Sequence, residues 1–423
     1  MDGSDIVNLL YRLADEQNGR NVQIDWAGAR YVVVQDIADA DHIVRLNSAN
    51  YEKALDWLSQ VIGPSRLTEN GEAWQSRQKL TQRHLAKCDP EHVFDLSRKH
   101  GQRGVKSMIE ASQSGHDRID DGLLRLITSG VMMEAVLNRS WESLGFSNFD
   151  NISHMLLYAV DYSFSTTGYN LGMDSARLPM DRERTLAFLE ARRATMQGLS
   201  SVRATITPGD PVLWALLQNE KADPNFKLEH EMLVLLAAGS ETSAAAIGWG
   251  CYLLAREPEL QEELRDEIKT FWRSGTPSFT GLQRLDRFVN FVTEAMRIFP
   301  PTPVLGVTAL GNDKLSDRTI EAGETVFVSI IGLNHSRKLR SDPWQICLEP
   351  RLPDHGRPPN MTFSAGPRVC GGRHFAVTEV LTVLAVILGE ARLELTSPTP
   401  PSFRWCFSLN PKGGHAVRAT STN

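Results

Sequence analysis

One segment of the chain surrounds a potential metal ligand with residues that favour its ionised form: Phe363-Ser-Ala-Gly-Pro-Arg-Val-Cys370-Gly-Gly-Arg-His-Phe-Ala376. Cys370 stands where an irregular stretch gives way to a helical pattern. Unsatisfied N–H groups at a helix start favour negative charge, and hence a thiolate. Gly366 and Gly372 permit turns and close approaches that a side chain would block. Arg368 places a planar cation suited to carboxylates two residues away. A thiolate beside such a cation suits a haem iron and its propionates. For a lone cysteine the plain alternative is a small buried hydrophobe in a tight turn. His374 follows Cys370 by four residues, and His84 and Cys88 share that spacing. Neither pair has a second ligand pair nearby, so zinc is not expected.

Three other groups carry polar chemistry. Ala238-Gly-Ser-Glu-Thr242-Ser interrupts an apolar helical pattern. Thr242 there can bond back to the Ala238 carbonyl, although a small-residue packing notch has the same composition. Glu294 and Arg297 share a helix face and can pair, as many surface ions do. Trp74 lies on a basic amphipathic helix, in Gly71-Glu-Ala-Trp-Gln-Ser-Arg-Gln-Lys-Leu.

Taken together, these segments resemble the cytochrome P450 superfamily. F-x-x-G-x-R-x-C-x-G is similar to its haem loop, A-G-x-E-T to its oxygen groove, and E-x-x-R followed by Glu349-Pro-Arg351-Leu352 to its Glu-Arg-Arg triad. The resemblance implies that Cys370 is the axial thiolate of haem b. It implies that Arg368 and Trp74 meet the propionates, and that Phe363, Gly366 and Gly372 complete the loop. Thr242 and Glu241 would deliver protons for dioxygen activation. Glu294, Arg297 and Arg351 would lock an irregular segment against a helix. Leu235, Ala238, Gly239, Val304 and Leu305 would line an apolar substrate pocket. Three departures stand out: Gly371 replaces the family's usual apolar side chain, Gln78 replaces the arginine of W-x-x-x-R, and residues 304–309 contain no propionate arginine. Arg77, Lys79 and Arg83 are read as a basic outer face, either a solvated helix surface or a dock for an acidic electron donor.

The implied activity is NAD(P)H- and O2-dependent oxidation of a small apolar organic substrate. No G-x-G-x-x-G fingerprint is present, so electrons are expected from a separate ferredoxin, or a flavodoxin, and its reductase. Oxidative coupling, desaturation and peroxide-driven oxidation are alternatives within the family. A haem sensor or carrier without turnover is an alternative of another class.

Periodicity and breakers place the supporting elements. Helices are expected at 4–17, 37–46, 72–87, 90–113, 117–138, 151–164, 181–200, 211–220, 228–256, 258–272, 286–299 and 371–388. Pro300-Pro301 stops the helix that carries Glu294. Strands are expected at 22–26 and 31–34, within 304–329 and in the tail, around an irregular stretch at 339–361. This is a mainly α chain with a minor sheet built from both ends. Its 423 residues suggest two or three domains at about 150 each. The resemblance implies instead a single domain over 1–423, of the soluble bacterial type and monomeric. Lys and Arg number 45 against 51 Asp and Glu, a net charge of −6, which argues against a nucleic-acid partner. The N-terminus has no signal-peptide pattern. The apolar runs at 232–239 and 381–389 are shorter than the ~20 residues of a membrane span, so no membrane anchor is expected. Five cysteines without a C-x-x-C pair argue for a reducing, cytoplasmic setting.

Overall fold

The computed structural model describes residues 3–26, 29–86, 88–140, 182–349 and 360–422. The helix expected at 151–164 and the triad candidate Arg351 lie outside these residues.

Helices dominate, and their ends follow local chemistry. Asp36 caps Ile37–Asp41 through its side chain, but the chain then widens into a π turn over His42–Leu46 instead of continuing as α-helix. Asp89 accepts from the Glu91 amide, and Pro90 takes the first position of Pro90–Gln113, where its missing N–H costs nothing. The helix expected from 117 begins later, at Asp121–Met132 under an Asp120 cap, because Ile119 pairs with His415 as an isolated bridge. Asp286–Ile298 ends before the two prolines, as expected. The helix after the cysteine is Arg373–Glu390; Gly372 is its cap, so Cys370 and Gly371 remain in the loop.

The central element is the 29-residue helix Leu228–Arg256, apolar on nearly every face. It spans the 228–256 expected from the sequence. By length and composition alone it could cross a membrane, yet 83% of its most apolar 18 residues is buried inside this fold. It packs against Asp121–Met132, Asp286–Ile298 and Arg373–Glu390. Trp249 is fully buried on it, stacks on Phe299 at 4.0 Å and donates to the Leu409 carbonyl at 2.8 Å. The indole thereby ties the tail of the chain to the helical core.

The main sheet has five strands in the order Val22–Trp26, Ala29–Val34, Thr325–Ser329, Val304–Ala309, Tyr51–Lys53. Val34 lies opposite Val328 in its parallel step, and Lys53 opposite Val307 in an antiparallel one. The expectation of a sheet shared by both chain ends needs correction. The tail strands form separate antiparallel pairs, Phe403–Cys406 with Ser408–Pro411 and Ala391–Leu395 with Val417–Ser421. The tail packs on the helices, through Trp249 and through Leu409 N–H to the Pro301 carbonyl at 2.9 Å.

Candidate active site

The long helix, the Cys370 loop, the Gly71–Leu85 helix and the main sheet enclose a cavity of about 400 Å³. Cys370, Arg368, Trp74, Phe363, Gly372 and Thr242 line it, and so do all five expected pocket residues, Leu235, Ala238, Gly239, Val304 and Leu305.

The loop is built by two constraints. Cys370 N–H donates to the Phe363 carbonyl at 2.9 Å and closes it. Gly366 has φ +68° and lies against the Val44 carbonyl, where a Cβ would overlap. Only glycine fits there on both counts. Cys370 is exposed, but its exposed surface lies in the cavity wall. Burial pushes its thiol above the ordinary value, and the Gly372 amide, Arg66, Lys53 and Arg373 pull the other way. Without a metal, burial outweighs the helix-start effect expected from sequence.

Thr242 donates to the Ala238 carbonyl at 2.8 Å, the bond its spacing allowed. Gly239 makes room for Met132, whose methyl would collide with a Cβ. Glu241 sits one residue, or about 100°, around the helix. It is buried, outside the cavity lining, with Oε1 3.9 Å from Arg125 Nε on the Asp121–Met132 helix. Thr242 and Glu241 therefore do not share the cavity wall.

Arg368 stacks over Trp74 with its guanidinium carbon 3.8 Å from the ring centroid. Its Nη2 donates to the Glu69 carbonyl at 3.0 Å and to Asn70 Oδ1 at 2.9 Å, while Nη1 is buried without a partner. Burial lowers its pKa to about 10. Lys53 and Arg66, neither flagged by any motif, also line the cavity. Burial, then the charges of Arg368 and Arg66, lowers the Lys53 pKa to about 8.

These features fit the haem that the resemblance implies. An orphaned guanidinium nitrogen and a repulsive cluster of three cations ask for anionic groups in the cavity. Gly372, on the cavity wall, has no atom within 4 Å of a Cβ position and leaves a smooth surface beside the thiol. Lys53 and Arg66 also bring positive charge to a cavity wall that has none at Gln78 or in 304–309. Their signal in the sequence was that absence itself. Among the described residues no group of three or more His, Cys, Asp and Glu is placed to hold a metal ion.

Arg77 is not on a basic outer face. It is 4% exposed, paired with Glu69 and with Glu231 at 2.9 Å, and its guanidinium lies 4.8 Å from the Phe226 ring centroid. Lys79 and Arg83 remain exposed on that helix. Glu294 and Arg297 are both buried and form a two-point pair at 3.0 and 3.1 Å. The second cation on Glu294 among the described residues is Arg340, at 2.6 Å. Arg297 also donates to the carbonyls of Asn334, Pro343 and Gln345, and so clamps the irregular segment against the helix.

Residues 4–417 match the family described as Cytochrome P450. The chain is 25% identical over 397 residues to Protein LUTEIN DEFICIENT 5, chloroplastic, of Arabidopsis thaliana, covering 88% of this chain and 67% of that protein. It is 25% identical over 403 residues to a cytokinin hydroxylase of the same plant, covering 85% and 74%. Over 215 residues it is 32% identical to Cytochrome P450 4X1 of Rattus norvegicus, covering 48% and 42%. These relatives come from a plant and a rodent, so the bacterial-type expectation finds no support in them. The chain belongs to the cytochrome P450 family, with that family's mainly α fold, its haem b cofactor and its monooxygenase activity.

Proposed function

We propose that Cys370 is the axial thiolate and that the chain oxidises a small apolar organic substrate held in the cavity. The observation that carries this reading is that the Cys370 thiol and the Thr242 hydroxyl, from different elements, open on the same apolar cavity. When bound, haem supplies electron transfer and dioxygen activation. One oxygen atom enters the substrate and the other leaves as water, with two electrons and two protons consumed.

The chain's own groups divide the remaining work. Arg368 and Lys53 take the propionate carboxylates, and Trp74 carries the Arg368 guanidinium over its ring. Leu235, Ala238, Gly239, Val304 and Leu305 keep the substrate side apolar and dry. Thr242 moves protons toward dioxygen. Glu241, 3.9 Å from Arg125, is the acidic reserve on the neighbouring side of the helix. Lys79 and Arg83, four residues apart on one helix, offer a cationic face to an acidic ferredoxin with its NAD(P)H reductase. Arg373, three residues after the thiol, is exposed as well.

Thr242→Ala tests the proton role. Oxygen and NAD(P)H consumption should persist while product per NAD(P)H falls by about tenfold or more, the difference appearing as hydrogen peroxide. Thr242→Ser, which keeps the hydroxyl and its bond to Ala238, should stay near the parent ratio. An unchanged ratio in the alanine variant removes Thr242 from proton delivery.

A further inference from the structure

Gly371 departs from its family, and the structure supplies a reason. Its backbone does not require glycine, because its φ lies outside the left-handed range. What glycine provides is room: a Cβ at 371 would overlap Nη2 and Cζ of Arg66 and Oε1 of Gln82 and would push these side-chain ends aside. The guanidinium therefore lies directly against the residue bonded to Cys370.

Arg66 is held there by several contacts. Its backbone N–H donates to Glu231 Oε1 at 3.0 Å, which anchors the turn that carries it. Its Nη1 donates to Thr81 Oγ1 at 2.8 Å, and Nη2 to Gln82 Oε1. Gln82 in turn donates from Nε2 to the Gly371 carbonyl at 3.2 Å. Both side-chain acceptors are neutral, and among the described residues the guanidinium makes no ion pair. Glu231 is engaged by Arg77. Arg66, Cys370 and Gly371 line the same cavity. A cation fixed in this way, in a partly dehydrated wall, is weakly screened.

We propose that Arg66 is a positioning residue that sets a permanent positive charge beside the Cys370 thiolate and thereby makes the haem easier to reduce. The inference rests on the reading of Cys370 as axial ligand. Its physics is that reduction adds negative charge to the iron–thiolate unit, and a nearby cation stabilises the state with more of it. Where the family usually places an apolar side chain after the cysteine, this chain places a guanidinium on a glycine.

The test is an equilibrium reduction titration of the haem-loaded protein, followed at the Soret band. Arg66→Gln should shift the reduction equilibrium toward the oxidised form by about tenfold, or ~59 mV for one electron. Arg66→Lys, which keeps the charge, should recover most of that shift. Gly371→Ala removes no donor and only displaces the guanidinium, so it should shift the potential in the same direction. Combined with Arg66→Gln it should add almost nothing. This second variant keeps the proposal testable if Arg66→Gln fails to fold. Potentials equal to the parent in Arg66→Gln and Gly371→Ala overturn the proposal, as does a lysine variant no better than glutamine. A parent protein whose reduced, CO-treated form lacks the thiolate-type Soret band overturns the reading of Cys370 instead, and the two failures are thus distinct.

Discussion

Replacing Cys370 with alanine is expected to remove the thiolate-type Soret band of the reduced, CO-treated protein and all O2-dependent turnover, while the helical content stays unchanged. The thiol lies in the cavity wall, outside the packed clusters, so its loss opens no hole in the core. A substitution of that kind costs only about 0.5 kcal/mol. Serine should fail as alanine does, because its alcohol is a far weaker acid than a thiol. The pH dependence of haem uptake provides a second readout with a definite sign. Burial holds the free thiol above its ordinary pKa, so the apoprotein carries Cys370 protonated at neutral pH, and ligation releases about one proton. Apparent affinity should rise about tenfold per pH unit below the thiol pKa and level off above it. Soret titration of the apoprotein across pH measures this slope, and Cys370→Ala should lose its thiol component. Retention of both the band and the slope in the alanine variant would assign the ligand elsewhere.

The cysteine loop was legible because everything that shapes it is local. Phe363, Gly366, Arg368 and Cys370 lie within eight residues, and the bond from Cys370 to Phe363 closes the loop on itself. The five pocket residues were legible for a similar reason, since one helix and one strand carry them. The cationic cluster was not. Lys53 comes from a short edge strand and Arg66 from an irregular turn, each about 300 residues from Cys370, and neither position has a motif. What marked them was negative: Gln78, the empty 304–309 stretch and Gly371 each left a space or a charge unaccounted for. Arg77 shows the opposite failure. Helical spacing correctly turned it about 100° from the Gln78 position, but spacing alone does not reveal whether the far face meets water or another helix. Here that face meets Phe226 and Glu231. Glu241 is comparable: adjacency to Thr242 in sequence placed it on a different side of the helix, 3.9 Å from Arg125.

Arg297→Ala should cost about 3–5 kcal/mol, because it leaves buried Glu294 with only part of its compensation. Against a typical total of about 5–15 kcal/mol, that is enough to lower both the denaturant midpoint and the haem content of purified protein. The cost has two parts. Glu294 loses a two-point charge-assisted pair and keeps Arg340 at 2.6 Å and the Cys347 amide at 3.2 Å. The carbonyls of Asn334, Pro343 and Gln345 each lose the donor that Arg297 presents to them, and an unsatisfied buried carbonyl is costly in its own right. Arg297→Lys should recover only part of the loss. A lysine has three donors on one nitrogen, whereas the fork must reach two carboxylate oxygens and three carbonyls in different directions. Arg340→Ala should be milder, about 1.5–3 kcal/mol, since the Arg297 fork still neutralises Glu294. This ranking separates a clamp from a simple ion pair. If charge alone mattered, Arg297→Lys would match the parent protein and Arg340→Ala would be as damaging as Arg297→Ala. If the fork holds the 334–345 segment in place, lysine at 297 loses haem content although the charge is kept, and Arg340→Ala does not.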